Sequence, residues 1–237
     1  MVCEKVRFLY RGRPDGLGNR LEEVIRLVAV QARLTSPSIC YLWNLSPRPD
    51  RNYWPRFSSP LKIVPLPFPL PANGWSQLTA DLPTTDELRA AAAQVTLHRV
   101  VAPIDTIIHL RAGDRIRPDA THPHFMDLKM QRDIASRALV HAAGGRKVVG
   151  VISDNAEVAN KCCRRLRELG TDAMVIAGGD VWGALAALQT ARVIVMASRF
   201  SSLSLVGALI GAREIHVPRE TQDSDLQRFG LETTAVF

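Results

Sequence analysis

Lysine is scarce in this sequence. Only Lys5, Lys62, Lys129, Lys147 and Lys161 stand among 30 basic residues, the other 25 being arginine. Arginine suits bidentate contact with phosphates and carboxylates. The formal charge of +7 and pI near 9.7 therefore point to a polyanionic or phosphorylated ligand, although GC-rich coding produces the same arginine excess. Cysteine is scarcer still. Cys3, Cys40, Cys162 and Cys163 show no C-x-x-C and no Cys/His ligand spacing, which excludes the usual structural zinc and leaves free thiols in a reducing cytoplasm as the expectation. Cys162 and Cys163 fall in a helix-like stretch, where adjacent side chains diverge, so the two are not expected to share one core. No charged-then-apolar leader opens the chain. The most apolar run, residues 193–212, is broken by Arg199 and several serines, which argues against a membrane span. With 46% hydrophobic and 22% charged residues the composition is neither disordered nor fibrous. The expectation is a soluble cytoplasmic protein.

No repeat or low-complexity tract interrupts the chain, and periodicity divides it in two. Residues 5–10 read as a strand and are followed by a glycine-bearing turn over 11–19. Leu21, Val24, Ile25, Val28, Ala29 and Ala32 then form one apolar helical face. Residues 38–43 read as a buried strand. From 44 to 83 the periodicity dissolves into prolines and aromatics, with one short strand over 61–66, which predicts a long packed loop. A helix over 85–95 has Thr84 or Thr85 as its cap and Glu87 in its first turn. Beyond residue 100, apolar strands over 106–110, 147–153, 173–177, 193–197 and 214–217 alternate with helices over 127–143, 156–169, 181–190 and 202–210. Continuous Val/Ile strands between amphipathic helices predict parallel sheets with helices on both faces. The expected architecture is α/β, two Rossmann-like halves over 1–100 and 101–237.

In such sheets ligands lie beyond the carboxyl ends of the strands, so four turns carry the functional reading. In Asp15-Gly-Leu-Gly-Asn-Arg-Leu21 the glycines Gly16 and Gly18 open the backbone at a helix start, which favours an anion, and Asn19 can donate to a phosphate or sugar oxygen. A dinucleotide fingerprint is excluded: Leu21 occupies the third glycine position, and the following strand ends in Trp43 and Asn44, not in an acid. In His109-Leu-Arg-Ala-Gly-Asp114, His109 and Arg111 point the same way as the strand runs out. Arg111 there meets either an anionic ligand or Asp114 across the turn. Ser153-Asp154 ends another strand. Asp154 either accepts two hydrogen bonds from a guanine edge or caps the next helix. Finally, in Ser198-Arg-Phe-Ser-Ser202 the hydroxyls of Ser201 and Ser202 can cap a helix and offer donors to a phosphate.

Taken in order, these turns resemble the GDP-fucose-dependent fucosyltransferases (the α1,2-, α1,6- and protein O-fucosyltransferases). The likeness rests on Gly16-Leu-Gly-Asn19, His109-Leu-Arg111, Ser153-Asp154 and Ser198-Arg-Phe-Ser-Ser202, and spans about residues 8–212. The resemblance implies a GT-B fold with the acceptor mainly on the first half and the donor nucleotide on the second. It implies an inverting, metal-independent transfer of a sugar from a GDP-sugar, GDP-fucose first among them, to a hydroxyl of a glycan or other acceptor, with no further cofactor. Arg111 would bind the β-phosphate and stabilise departing GDP, with Asn19 nearby on the facing domain. His109 and Asp154 would address the guanosine, and Ser201 and Ser202 the diphosphate. Gly16, Gly18, Asp114, Ser153 and Phe200 complete the expected donor site, and Asp15 is the candidate base, with Glu22, Asp114, His122 and His124 as alternatives. Arg199 departs from the family's pattern and offers a charge to another phosphate or a different sugar. Asp223-Ser-Asp225 spells a D-x-D metal pattern but lies in a polar segment and reads as solvated.

Two other classes fit the same residues. A glycosyltransferase using another nucleotide sugar on a nucleic-acid acceptor would use the positive charge. A non-catalytic nucleotide-binding scaffold would keep Arg111 without turnover.

Overall fold

The computed structural model describes residues 8–12, 16–34, 39–44, 53–66, 82–98, 101–102, 104–111, 125–144, 148–176, 180–211 and 213–237. The chain divides into two compact units, Met1–His98 and Arg99–Phe237.

In unit 1, β1 (Phe8–Arg11), β2 (Ile39–Asn44) and β4 (Lys62–Leu66) form a parallel sheet in the order β1-β2-β4. Pro65 pairs opposite Trp43 on β4, an edge strand that can spare a ladder donor. Helix α1 (Leu17–Ala32) connects β1 to β2. The residues from Leu17 to Ala29 are all buried, Arg20, Glu22, Glu23 and Arg26 included. The expected apolar face is there, but the face opposite it is covered too. Gly12 closes β1 under Tyr41: a Cβ at this position would stand 2.0 Å from the Tyr41 Oη. Helix α2 (Thr85–Ala92) starts with a capping box. The Thr84 hydroxyl accepts from the Glu87 N–H while Glu87 accepts from the Thr84 N–H. Glu87 also takes two hydrogen bonds from Arg33 just beyond the end of α1, at 2.6 and 2.5 Å, and these bonds hold its carboxyl down to about 2. Two strands too short to show a period, β3 (Phe57–Ser58) and β5 (Thr96–Leu97), pair antiparallel.

Unit 2 is a six-stranded parallel sheet in the order β11-β10-β9-β6-β7-β8. In chain order its strands are β6 (Thr106–Leu110), β7 (Val148–Ser153), β8 (Asp172–Val175), β9 (Val193–Met196), β10 (Glu214–Val217) and β11 (Ala235–Val236). From the β8 edge they run third, second, first, fourth, fifth and sixth, the doubly wound arrangement in which chain direction reverses between β6 and β9. Helices α3 (Leu128–Ala143) and α4 (Ala156–Glu168) pack side by side against β6, β7 and β8. Helices α5 (Val181–Thr190) and α6 (Ser202–Gly211) pack against each other so closely that a Cβ on Gly207 would stand 2.7 Å from the Leu188 Cβ. Right-handed crossovers to either side of the reversal put the two helix pairs on opposite faces. Residues 193–211 of that run are thus a strand, a turn and a helix. No helix among the described residues is long and apolar enough to cross a membrane.

Alternation decides which strand residues face which pair. Ile108, Leu110, Val149, Val151, Val193 and Val195 join Ala138, Ala142 and Leu166 in the core under α3 and α4. Cys162 and Cys163 both belong to that core, at 7% and 2% exposure, contrary to the expectation that adjacent cysteines could not share it. Helix α4 touches β7, β8 and α3 at once, so its buried arc is wide enough for two neighbours set about 100° apart. Cys40, Cys162 and Cys163 are free thiols. Burial pushes Cys162 to about 11, which keeps it inert. Cys3 lies outside the described residues.

The polar tail also differs from expectation. Asp223–Arg228 forms helix α7, and Asp225 is buried at 6% exposure, not solvated. Leu226 and Phe229, a helical step apart, fix this segment to the core and carry Asp225 inward with them.

Candidate functional site

The reversal between β6 and β9 is where a doubly wound sheet opens a crevice at its carboxyl end. Strand β6 runs out at that end through His109, Leu110 and Arg111, and β9 through Ala197 and Ser198 into α6. His109 faces away from the α3–α4 core, as alternation requires, and its Nδ1 lies 2.6 Å from the Ser204 Oγ and 3.2 Å from the Ser201 Oγ. All three side chains are buried. Burial, and then the charge of Arg111, hold the imidazole neutral down to about 3. Arg111 itself is half-buried, and its carbonyl accepts from the Gln131 Nε2 at 3.4 Å.

The Ser201 hydroxyl accepts from the Ser204 N–H at 3.4 Å, so it ties down the first turn of α6 as well as facing His109. Ser202 is buried at the helix start, where the first N–H groups have no intrahelical partner. Phe200 turns inward, its ring 6.4 Å from that of Phe229, and anchors the turn. Ser198 is buried, with its hydroxyl 3.4 Å from the Phe200 carbonyl. The half-buried Arg199 donates its backbone N–H to the Met126 sulfur, and its carbonyl accepts from the Thr221 hydroxyl.

At the end of β7 the structure separates two readings of one turn. The cap of α4 is Asn155, whose Oδ1 accepts from the N–H groups of Glu157 and Val158 at 2.9 and 3.1 Å. Asp154 is therefore not the cap. Its carboxylate is exposed at the carboxyl end of the sheet, next to Ser153, whose hydroxyl accepts from the Asn155 N–H at 3.2 Å.

The turn at the start of α1 belongs to unit 1. Gly16 stands at the helix N-cap with no side-chain cap, and no described residue approaches within 4 Å of where its Cβ would be. Gly18 and Asn19 lie in the buried first turn of α1, a turn earlier than the apolar periodicity alone indicates. Arg20 is fully buried, with its guanidinium 5.4 Å from the Trp43 ring and 5.9 Å from that of Tyr53. Glu23 accepts from the Tyr41 hydroxyl at 2.6 Å, and Glu22 pairs with Arg26 at 3.1 Å. Burial, followed by the charge of Glu23, pushes the Tyr41 phenol well above its ordinary range. Asp15, Asp114, His122 and His124 lie outside the described residues.

The structure thus brings together His109, Arg111, Ser201 and Ser202 at the carboxyl ends of β6 and β9 in unit 2, with Asp154 at the end of the neighbouring strand. Sequence reasoning missed Ser204, which reads as a small residue inside an apolar helix. Its only signal is the spacing to Ser201, one helical step, which puts both hydroxyls on one face.

The fold defines an α/β protein whose second unit is a doubly wound, Rossmann-like sheet. No protein-family model and no curated protein sequence matches the chain. Among solved structures it is similar to the NodZ α-1,6-fucosyltransferase soaked with GDP-fucose, at 14% identity and a TM-score of 0.54, covering 86% of this chain and 91% of that one. The fucosyltransferase NodZ from Bradyrhizobium gives 14% identity, a TM-score of 0.52, and 86% and 92% coverage. POFUT1 in complex with GDP-fucose gives 14% identity and a TM-score of 0.40, covering 64% of this chain and 51% of that one. The chain spans about half the length of the POFUT1 structures it matches. The fold is that of the NodZ fucosyltransferase, as the sequence resemblance implies.

Proposed function

We propose that the chain is a glycosyltransferase that moves fucose from GDP-fucose to an acceptor hydroxyl, with inversion and without a metal ion. The observation that carries this reading is the convergence of His109, Arg111 and the Ser198–Ser202 turn on the two strands that flank the sheet's reversal. The fold shared with NodZ supports it.

In this reading the donor sits in unit 2. Asp154, exposed and relieved of capping by Asn155, accepts from the guanine N1–H and exocyclic amine. The N–H groups at the start of α6 and the Ser202 hydroxyl meet the diphosphate. Arg111 binds the β-phosphate. The acceptor oxygen attacks the sugar C1 from the face opposite GDP as the C1–O bond to the phosphate breaks. Negative charge gathers on the β-phosphate oxygen, where the Arg111 guanidinium stabilises it. Unit 1 supplies the acceptor side, with Gly16, Gly18 and Asn19 at its helix start and Asp15 as the base that takes the acceptor proton. The acceptor in this reading is a glycan hydroxyl.

The test is release of GDP from GDP-fucose by the full chain against a panel of glycan acceptors. Acceptor-dependent turnover is expected. GDP binding without turnover on any acceptor would move the chain to the scaffold class.

A further inference from the structure

Five buried polar side chains of unit 2 cluster where β6 meets α6. His109, Ser198, Ser201, Ser202 and Ser204 are all buried there, and Ser201 and Ser204 are fully so. Two hydroxyls facing one imidazole nitrogen constrain where its proton can be. The Ser204 hydroxyl has Nδ1 as its hydrogen-bond partner among the described residues, at 2.6 Å, and its side chain is shut off from bulk solvent. If Nδ1 carried a proton and donated it to the Ser204 Oγ, the serine's own proton would be buried without an acceptor. That costs about 1–3 kcal/mol. The Ser201 Oγ faces the same nitrogen at the longer distance of 3.2 Å and already accepts from the Ser204 N–H, so the single lone pair of a bare Nδ1 goes to the nearer Ser204 hydroxyl, with Ser201 beside it. Only a bare Nδ1 lets the Ser204 hydroxyl donate. In a neutral ring the proton then resides on Nε2. The ring is neutral, because burial and the neighbouring Arg111 guanidinium both oppose the imidazolium.

We propose that Ser204, seconded by Ser201, is a positioning residue that locks His109 as a hydrogen-bond donor through Nε2–H. The ring then offers a ligand at the carboxyl end of β6 a directed N–H, and it does not act as a base. This rests on the nucleotide-sugar reading only for the identity of the acceptor atom, a ribose or phosphate oxygen. It also takes His109 out of the search for the group that deprotonates the acceptor hydroxyl. The arrangement is economical in motion: Ser204 is one helical step beyond Ser201, so the turn that meets the nucleotide and the group that orients the histidine belong to one rigid element.

The experiment is long-range proton–nitrogen correlation NMR on the uniformly ¹⁵N-labelled full chain, with the His109 ring assigned by its disappearance in His109→Gln. The expected pattern is an unprotonated Nδ1 and a protonated Nε2. In Ser204→Ala the ring becomes a mixture of tautomers, and GDP affinity by calorimetry falls about tenfold, the worth of one buried hydrogen bond. Ser204→Thr, which keeps the hydroxyl, restores the wild-type tautomer. A wild-type ring protonated on Nδ1, or a Ser204→Ala spectrum identical to wild type, overturns the proposal. The wild-type spectrum decides even if Ser204→Ala does not fold. If wild type fails to bind GDP, the nucleotide reading falls while the tautomer still confirms or refutes the role of Ser204.

Discussion

Helix α1 of unit 1 carries Arg20, Glu22, Glu23 and Arg26 into buried positions along its length, whereas α5 and α6 of unit 2 bury only apolar residues, glycine and the serines Ser202 and Ser204. Both are crossover helices on parallel sheets, yet they treat polarity in opposite ways. In unit 1 two of the buried charges are answered in place, Glu22 by Arg26 and Glu23 by the neutral Tyr41 hydroxyl. In unit 2 a cluster of buried polar side chains, His109, Ser198, Ser201, Ser202 and Ser204, gathers at the carboxyl ends of β6 and β9, while others such as Thr106 and His216 stand singly along the strands. The contrast separates two uses of buried polarity. Spread along a helix and paired in place, it fixes a packing arrangement. Gathered at a strand reversal next to an exposed carboxylate and a half-buried arginine, it is the pattern on which the proposed donor site rests.

The widest separation between the units is expected from one substitution. Arg111→Ala should lower the transfer rate by about 10²–10³ and leave the unfolding midpoint of the full chain close to wild type, as initial rates and urea denaturation will show. The reverse pattern is expected in unit 1. Tyr41→Phe removes the donor to a buried carboxylate, which should cost about 1–3 kcal/mol of stability with GDP affinity unchanged. A loss of GDP binding in Tyr41→Phe comparable to that in Arg111→Ala would erase the distinction.

A finer comparison lies within one turn. Asn155→Ala should cost about 1 kcal/mol of stability through the lost cap of α4, whereas Asp154→Ala should leave stability unchanged and reduce the preference for GDP over ADP in competition calorimetry. If the two variants exchange these effects, Asp154 is structural and the guanine contact is elsewhere.

Acidity probes the same region. The His109 imidazole is held near 3 in the folded chain against an ordinary 6.5, so the unfolded chain binds the extra proton first. Its contribution is fully present above the ordinary value and is lost as pH falls from there toward 3. Between about pH 7 and 5.5 the wild type should lose about 1 kcal/mol that His109→Gln does not lose, measured by denaturation at both values. Equal losses in the two proteins would place the titrating group elsewhere.

Much of unit 2 was legible in the sequence because Val/Ile strands such as 193–197 and the helices between them have unmistakable periods. The four turns were placed for the same reason: each follows a strand whose end is easy to see, though residues 13–15 and 112–114 of the first two lie outside the described residues. What stayed hidden has a physical cause in each instance. Strands β3, β5 and β11 are two residues long and show no period. The charged face of α1 reads as solvent-facing by amphipathicity, and only tertiary structure shows that it is covered. Asp154 and Asn155 are both good caps by type, and the choice between them is set by backbone geometry. Ser204 looks like filler in an apolar helix until the strand beside it is known to present a histidine.

The central claim is that the crevice between β6 and β9 holds a guanosine diphosphate through Arg111. Isothermal calorimetry of the wild-type chain and Arg111→Ala against GDP, UDP, ADP, CMP and NAD tests it most directly. The account predicts selective binding of GDP by the wild type and its loss in Arg111→Ala. Binding of GDP that is indifferent to Arg111, or preference for another nucleotide, would contradict it.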